Sequence, residues 1–175
     1  MTSRLSRRRF VQQLGAASCL TLATTSSEAR PRYRPRVAAV FTEFRFRSHA
    51  YDLLENFFTP YMFCGQLVDP GIDVVSFYAD QFPGDDMARK ASRDHGVPIY
   101  DSIDKALCCG GRELDVDAVL MIGEHGDYPT NARGQKMYPR KQFFDQCVDV
   151  MQRSGRFVPL FNDKHLSFRW DWARQ

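Results

Sequence analysis

No stretch of this 175-residue chain approaches the ~20 consecutive apolar residues that a membrane-spanning helix needs, which argues against a multi-pass membrane protein. An excess of one charge is also missing from the body. Of 24 Lys and Arg and 21 Asp and Glu, residues 1–29 hold four and one, so residues 30–175 carry 20 of each. A neutral body argues against nucleic-acid binding through a phosphate-neutralising face. Cysteines number five, and none stands at C-x-x-C or zinc-finger spacing, so neither a disulfide framework nor a zinc module is indicated. The adjacent Cys108 and Cys109 read as core filling at a helix end. Glycine is absent from Val37 through Cys64.

What is present begins with an address. Ser6-Arg7-Arg8-Arg9-Phe10-Val11-Gln12 leads into a weakly apolar stretch, Leu14 to Ala23, and then small and polar residues up to Ala29. A basic start, a short apolar middle and small residues before a cut describe a cleavable export signal over 1–29. The paired arginines followed by Phe10 resemble the twin-arginine (Tat) signal, with Val11 and Gln12 departing from its usual Leu-Lys. That resemblance implies the Tat export machinery as a partner, a periplasmic destination and a cargo that crosses already folded. A lipoprotein signal using Cys19 is the competing reading, but Ala16-Ala17-Ser18 lack the customary Leu. Residues 30–36, Arg-Pro-Arg-Tyr-Arg-Pro-Arg, read as an extended linker, because Pro blocks helix and the charges repel.

The body, 37–166, alternates two kinds of segment. Short apolar runs predict strands at Val37–Phe41, Ile72–Tyr78, Val97–Tyr100, Val116–Ile122 and Phe157–Phe161. Between them, apolar residues at helical spacing predict helices over His49–Phe63, Asp85–His95, Ser102–Cys109 and Arg140–Ser154. Strand runs without polar alternation are covered on both faces. The expected fold is α/β: a doubly wound, mainly parallel, five-stranded Rossmann-like sheet with helices on both faces. Residues 167–175, with Trp170 and Trp172, read as the opening of a helix that is cut short.

In such sheets ligands bind outside the carboxyl ends of the strands. Those ends carry Thr42-Glu43, Asp80-Gln81, Glu124-His125-Gly126-Asp127-Tyr128, and Asn162-Asp163-Lys164-His165. Carboxylates, imidazoles and an ammonium are therefore expected on one rim.

Three runs give the body a specific likeness: Val74 to Asp80, Met87 to Leu107 with its Gly96-Val97-Pro98, and Val116 to Ile122. Together they resemble the N-terminal domain of the Gfo/Idh/MocA oxidoreductases, over roughly Arg36 to Leu166. The resemblance implies NAD or NADP as cofactor, a sugar-like small-molecule substrate, and catalysis completed by a further C-terminal domain. It assigns Asp80 to the adenosine ribose and places Thr42, Gln81 and Glu124 around the cofactor. It puts Lys164 at the position that contacts the substrate hydroxyl, with His165 in place of the usual Pro and His125 lining the nicotinamide site. The sequence departs from the family at its first turn. Thr42-Glu43-Phe44-Arg45-Phe46-Arg47 stands where G-x-G-x-x-G lets the backbone approach pyrophosphate, which implies weak or altered nucleotide binding.

Two further readings remain open from the residues. One is a non-catalytic protein that keeps the fold and recognises a sugar or a partner, homo-oligomerisation included. The other is a metal-dependent hydrolase drawing ligands from Glu43, Glu124, His125, Asp127, Asp163 and His165, which are suitable donors for zinc or manganese.

Overall fold

The alternation of buried faces along one central strand organises the molecule. The computed structural model describes residues 33–175; the expected leader and residues 30–32 of the linker lie outside the described residues. Strand β1 (Arg36–Phe41) is buried along nearly its whole length. Val37, Ala39 and Phe41 face one layer, and Ala38 and Val40 face the other. Side chains alternate across a strand, so an uninterrupted apolar run must be covered on both sides.

The first layer is supplied by α1 (His49–Phe58) and α2 (Ala88–His95), through Ala50, Leu54, Ala88 and Ala91. The second comes from α3 (Ile103–Leu107) and α4 (Arg140–Arg153), through Ile103, Leu107, Phe143, Cys147, Val150 and Met151. In chain order the strands after β1 are β2 (Tyr61–Phe63), β3 (Gln66–Val68), β4 (Asp73–Ala79), β5 (Ile99–Tyr100), β6 (Ala118–Ile122) and β7 (Leu160–Asn162). The main sheet runs β5-β4-β1-β6-β7 with every pairing parallel. This is the doubly wound α/β arrangement, and the strand order reverses direction between β1 and β6. Ligand crevices of such sheets open at that reversal, outside the carboxyl ends of the two strands.

Local chemistry sets the helix starts. Ser48 caps α1 by accepting from the Tyr51 backbone N–H, and Ser102 caps α3 by accepting from Lys105 N–H. Helix α2 starts at Ala88 rather than Asp85, because the Asp86 carboxylate accepts from the N–H groups of Ala88 and Arg89. Gly96, at φ 67°, ends it in the left-handed conformation that glycine adopts without steric cost.

The expected helix over His49–Phe63 stops at Phe58 instead. Pro60 has no N–H for a helix bond and forces Thr59 into extended backbone, φ −136°. The chain then forms an antiparallel hairpin, β2–β3, around Cys64-Gly65, whose φ values of 47° and 75° suit a two-residue hairpin turn. Arg34, expected within a free linker, is fastened to the body by ion pairs to Asp69 and Asp73, and Arg36 opens β1. Cys108 is buried as core, whereas Cys109 is only half-buried. Short helix α5 (Trp170–Ala173) closes the chain. Among the described residues no helix is long and apolar enough to cross a membrane.

Candidate functional site

The segments after β1, β4 and β6 meet at the carboxyl edge of the sheet, and three hydrogen-bonding devices fix them. Thr42 is fully buried, and its hydroxyl donates to the Glu124 carbonyl at 2.5 Å, tying the end of β1 to the end of β6. Gln81 N–H donates to the Thr42 carbonyl at 2.7 Å, which adds the end of β4. The Gln81 side chain then clamps the next loop: its Nε2 donates to the Asp127 carbonyl, and its Oε1 accepts from the Asp127 N–H. Thr42 and Gln81, expected near a cofactor, thus have their side chains engaged in holding the rim together.

At the centre of that rim lie His49, Glu124 and Asp163. One potential ligand atom from each lies within 4.8 Å of the other two. They come from three elements: the first residue of α1, the segment just past β6, and the segment just past β7. Nδ1 of His49 is 2.7 Å from Oδ2 of Asp163. All three side chains are half-buried, so they are shielded from bulk water yet open to a ligand.

His125 borders the group. Its ring meets the His49 ring edge to face at 5.0 Å between centroids. Its Nε2 is buried without a hydrogen-bond partner, and burial, with His49 and Arg45 nearby, holds its pKa below the ordinary 6.5. The imidazole is kept neutral, the form that can ligate a cation or accept a proton. Its backbone sits at φ 68°, a conformation that non-glycine residues seldom adopt and that clusters at functional sites.

Other expected residues have different company. Asp80 stands just past β4, where the resemblance places the ribose-binding acid. Both of its oxygens accept hydrogen bonds, from Tyr78 at 2.8 Å and from Tyr128 at 2.6 Å. Burial raises both phenol pKa values, and Asp80 raises them further, so each hydroxyl stays a donor. Glu43, 5% exposed, pairs with Arg45 Nε at 2.5 Å in the turn that lacks glycine. The pairing engages the Arg45 guanidinium with a carboxylate in place of a phosphate. Asp127 is exposed, bonded to Gln81 only through its backbone.

Lys164 and His165 continue past Asp163, with Lys164 exposed and the His165 carbonyl accepting from Arg140 Nη1 at 2.8 Å. Arg140, 5% exposed, lies 3.8 Å from Glu124, and burial lowers its pKa. Asp80, His125 and Lys164 stand on the segments that follow β4, β6 and β7 at the carboxyl edge of one parallel sheet. Sequence reasoning missed His49, which it read only as a helix start. The available signal was its place directly after the Ser48 cap, on the helix that follows the central strand.

Comparison of the chain with known proteins finds no matching family, no matching curated protein and no matching solved structure.

Proposed function

We propose that this domain holds a divalent cation at the β1–β6 reversal and uses it for hydrolysis. The observation that supports the reading best is the convergence of His49, Glu124 and Asp163, from three separate elements, within 4.8 Å. One imidazole and two carboxylates suit zinc or manganese. His49 Nδ1 and Asp163 Oδ2, 2.7 Å apart, are both able to ligate, and a cation binding between them would displace the proton of their hydrogen bond. The neutral His125 beside them has a second imidazole nitrogen, buried and unpartnered.

A bound cation would polarise a carbonyl or phosphoryl oxygen and lower the pKa of water. The protein's own groups would do the rest. His125 would take the proton from the attacking water. The new bond forms between water oxygen and the acyl or phosphoryl centre, the bond to the leaving group breaks, and the leaving group carries away the proton that His125 returns. The test is hydrolysis of p-nitrophenyl acetate and p-nitrophenyl phosphate by the full chain loaded with Mn²⁺ or Zn²⁺. The expected result is a rate on at least one ester that chelator abolishes and that His49→Ala lowers by about 100-fold or more. A rate no greater than that of the free metal overturns the hydrolytic reading.

A second reading, NAD(P) binding, has one observation in its favour: Asp80 lies at the end of the strand next to β1. For ribose to reach that carboxylate, Tyr128 must leave it. Titration of NADH or NADPH against the full chain, followed by cofactor fluorescence, decides this reading. Saturation that Asp80→Ala removes supports it, and no saturation by millimolar cofactor ends it.

A further inference from the structure

A cleft of about 350 Å³ lies against the candidate metal cluster and shares Glu124 as a wall. The rest of its lining has one sign of charge: Lys136, Arg140 and Lys164, with Tyr138 and Phe168 as aromatic surfaces. We infer that this cleft binds the anionic group of a small organic anion, a carboxylate or a phosphate, whose ring or hydrocarbon face rests on Tyr138 and Phe168. The inference deepens the metal-site reading by naming the substrate class, and it rests on that reading for the link through Glu124.

Two features make the cleft more than a chance cluster of surface lysines. The first is the seating of Arg140. A Cβ on Gly123 would lie 2.4 Å from Arg140 Cγ, so the end of β6 is free of a side chain where the arginine stem packs. The guanidinium is then held over the Tyr138 ring, 5.0 Å from its centroid, and anchored by the His165 carbonyl. Glu124, at 3.8 Å, is the one carboxylate lining the cleft, and it is also claimed by the cation cluster. Five N–H donors in a fixed fork leave Arg140 able to take an oxyanion as well.

The second feature is the placement of the two ammonium groups. Neither Lys136 nor Lys164 makes a side-chain hydrogen bond or ion pair among the described residues. Yet the backbone carrying each is fixed. Lys136 follows a turn in which Asn131 Oδ1 accepts from the N–H groups of Arg133 and Gln135, and Lys136 bridges back to Thr130. Lys164 follows Asn162, whose amide donates to the Lys164 carbonyl at 2.6 Å. Three cations facing one carboxylate leave a positive cleft that attracts anions and excludes cations.

The experiment is calorimetric titration of the full chain with phenyl phosphate, benzoate and neutral benzyl alcohol, with and without Mn²⁺. Saturable binding of either anion near millimolar concentration, the range expected of a fragment this size, with none of benzyl alcohol, is the expected result. Which anion binds tells carboxylate from phosphate. The Lys136→Met/Lys164→Met double variant should fold normally, since both side chains are exposed, and should bind the anion at least tenfold more weakly. Binding of neither anion, or equal binding by the double variant, overturns the inference. Mn²⁺ uptake without anion binding refutes the cleft alone, whereas Lys-dependent anion binding without Mn²⁺ uptake supports the cleft and refutes the metal reading.

Discussion

Nδ1 of His49 and Oδ2 of Asp163 are 2.7 Å apart although 114 residues separate them in the chain. That bond joins the start of the first helix to the end of the last strand of the sheet, across the point where strand order reverses. A contact of this length needs one proton between the two atoms, and a cation binding there would displace it. One ligand atom from each of the pair, together with one from Glu124, lies within 4.8 Å of the other two.

Acid should weaken the fold partly through His125. Its folded pKa lies below 6.5, chiefly through burial, then through His49 and Arg45, with Glu124 and Glu43 opposing. As pH falls below about 6.5 the unfolded chain takes up this proton before the folded one does, so stability falls on acidification in that window. Above it the residue contributes nothing to the pH dependence. His125→Asn keeps a residue that tolerates φ 68° and removes the titration. In chelator-treated protein, the loss of Tm between pH 7 and pH 5 should be smaller in the variant. The remainder includes His165, whose pKa partial burial and Arg140 also lower. Identical losses in both proteins would contradict the assignment.

Gly126 carries the turn that brings Tyr128 back to Asp80. Its φ is 104°, and an added Cβ would stand 2.6 Å from Tyr128 Cε2 and 3.1 Å from Gln81 Oε1. Gly126→Ala should cost about 1–3 kcal/mol in urea unfolding, from backbone strain and the displaced tyrosine ring. A variant as stable as the parent would show that the loop repacks freely.

The cysteines should separate by reactivity. Cys64 is exposed in the hairpin turn, whereas Cys147 is buried and its thiol is pushed up to about 12. At pH 8 only about one Cys147 in ten thousand is thiolate, before any steric protection. Timed iodoacetamide labelling with peptide mapping should find Cys64 modified first and Cys147 modified only on unfolding. Labelling of Cys147 in the native protein at a rate near that of Cys64 would contradict its placement in the core.

The sheet was legible because its strands are nearly pure apolar runs: Val37–Phe41 and Val116–Ile122 have no polar face to confuse them with surface helix. The β2–β3 hairpin was not, since Tyr61, Met62 and Phe63 extend the apolar spacing of α1, and only Pro60 and Cys64-Gly65 mark the change. The rim was legible in outline, because polar residues after parallel strands share one edge whatever their identity. Its centre was not. His49 belongs to a helix, and the loop length that turns α1 toward β7 leaves no trace in residue spacing. Asp80 shows the opposite limit: its position could be read from the chain, but its two tyrosine partners could not, because Tyr128 arrives from 48 residues away.

The account rests most directly on whether the His49–Glu124–Asp163 cluster holds a cation. Titration of the full chain with Mn²⁺, followed by the electron paramagnetic resonance signal of the free ion, measures this with little interference from thiols, which this metal disfavours. The account predicts one tightly held Mn²⁺ per chain, with affinity falling at least tenfold in Asp163→Asn and in His49→Gln. Less than a tenth of an equivalent bound, or uptake that neither substitution alters, would contradict it.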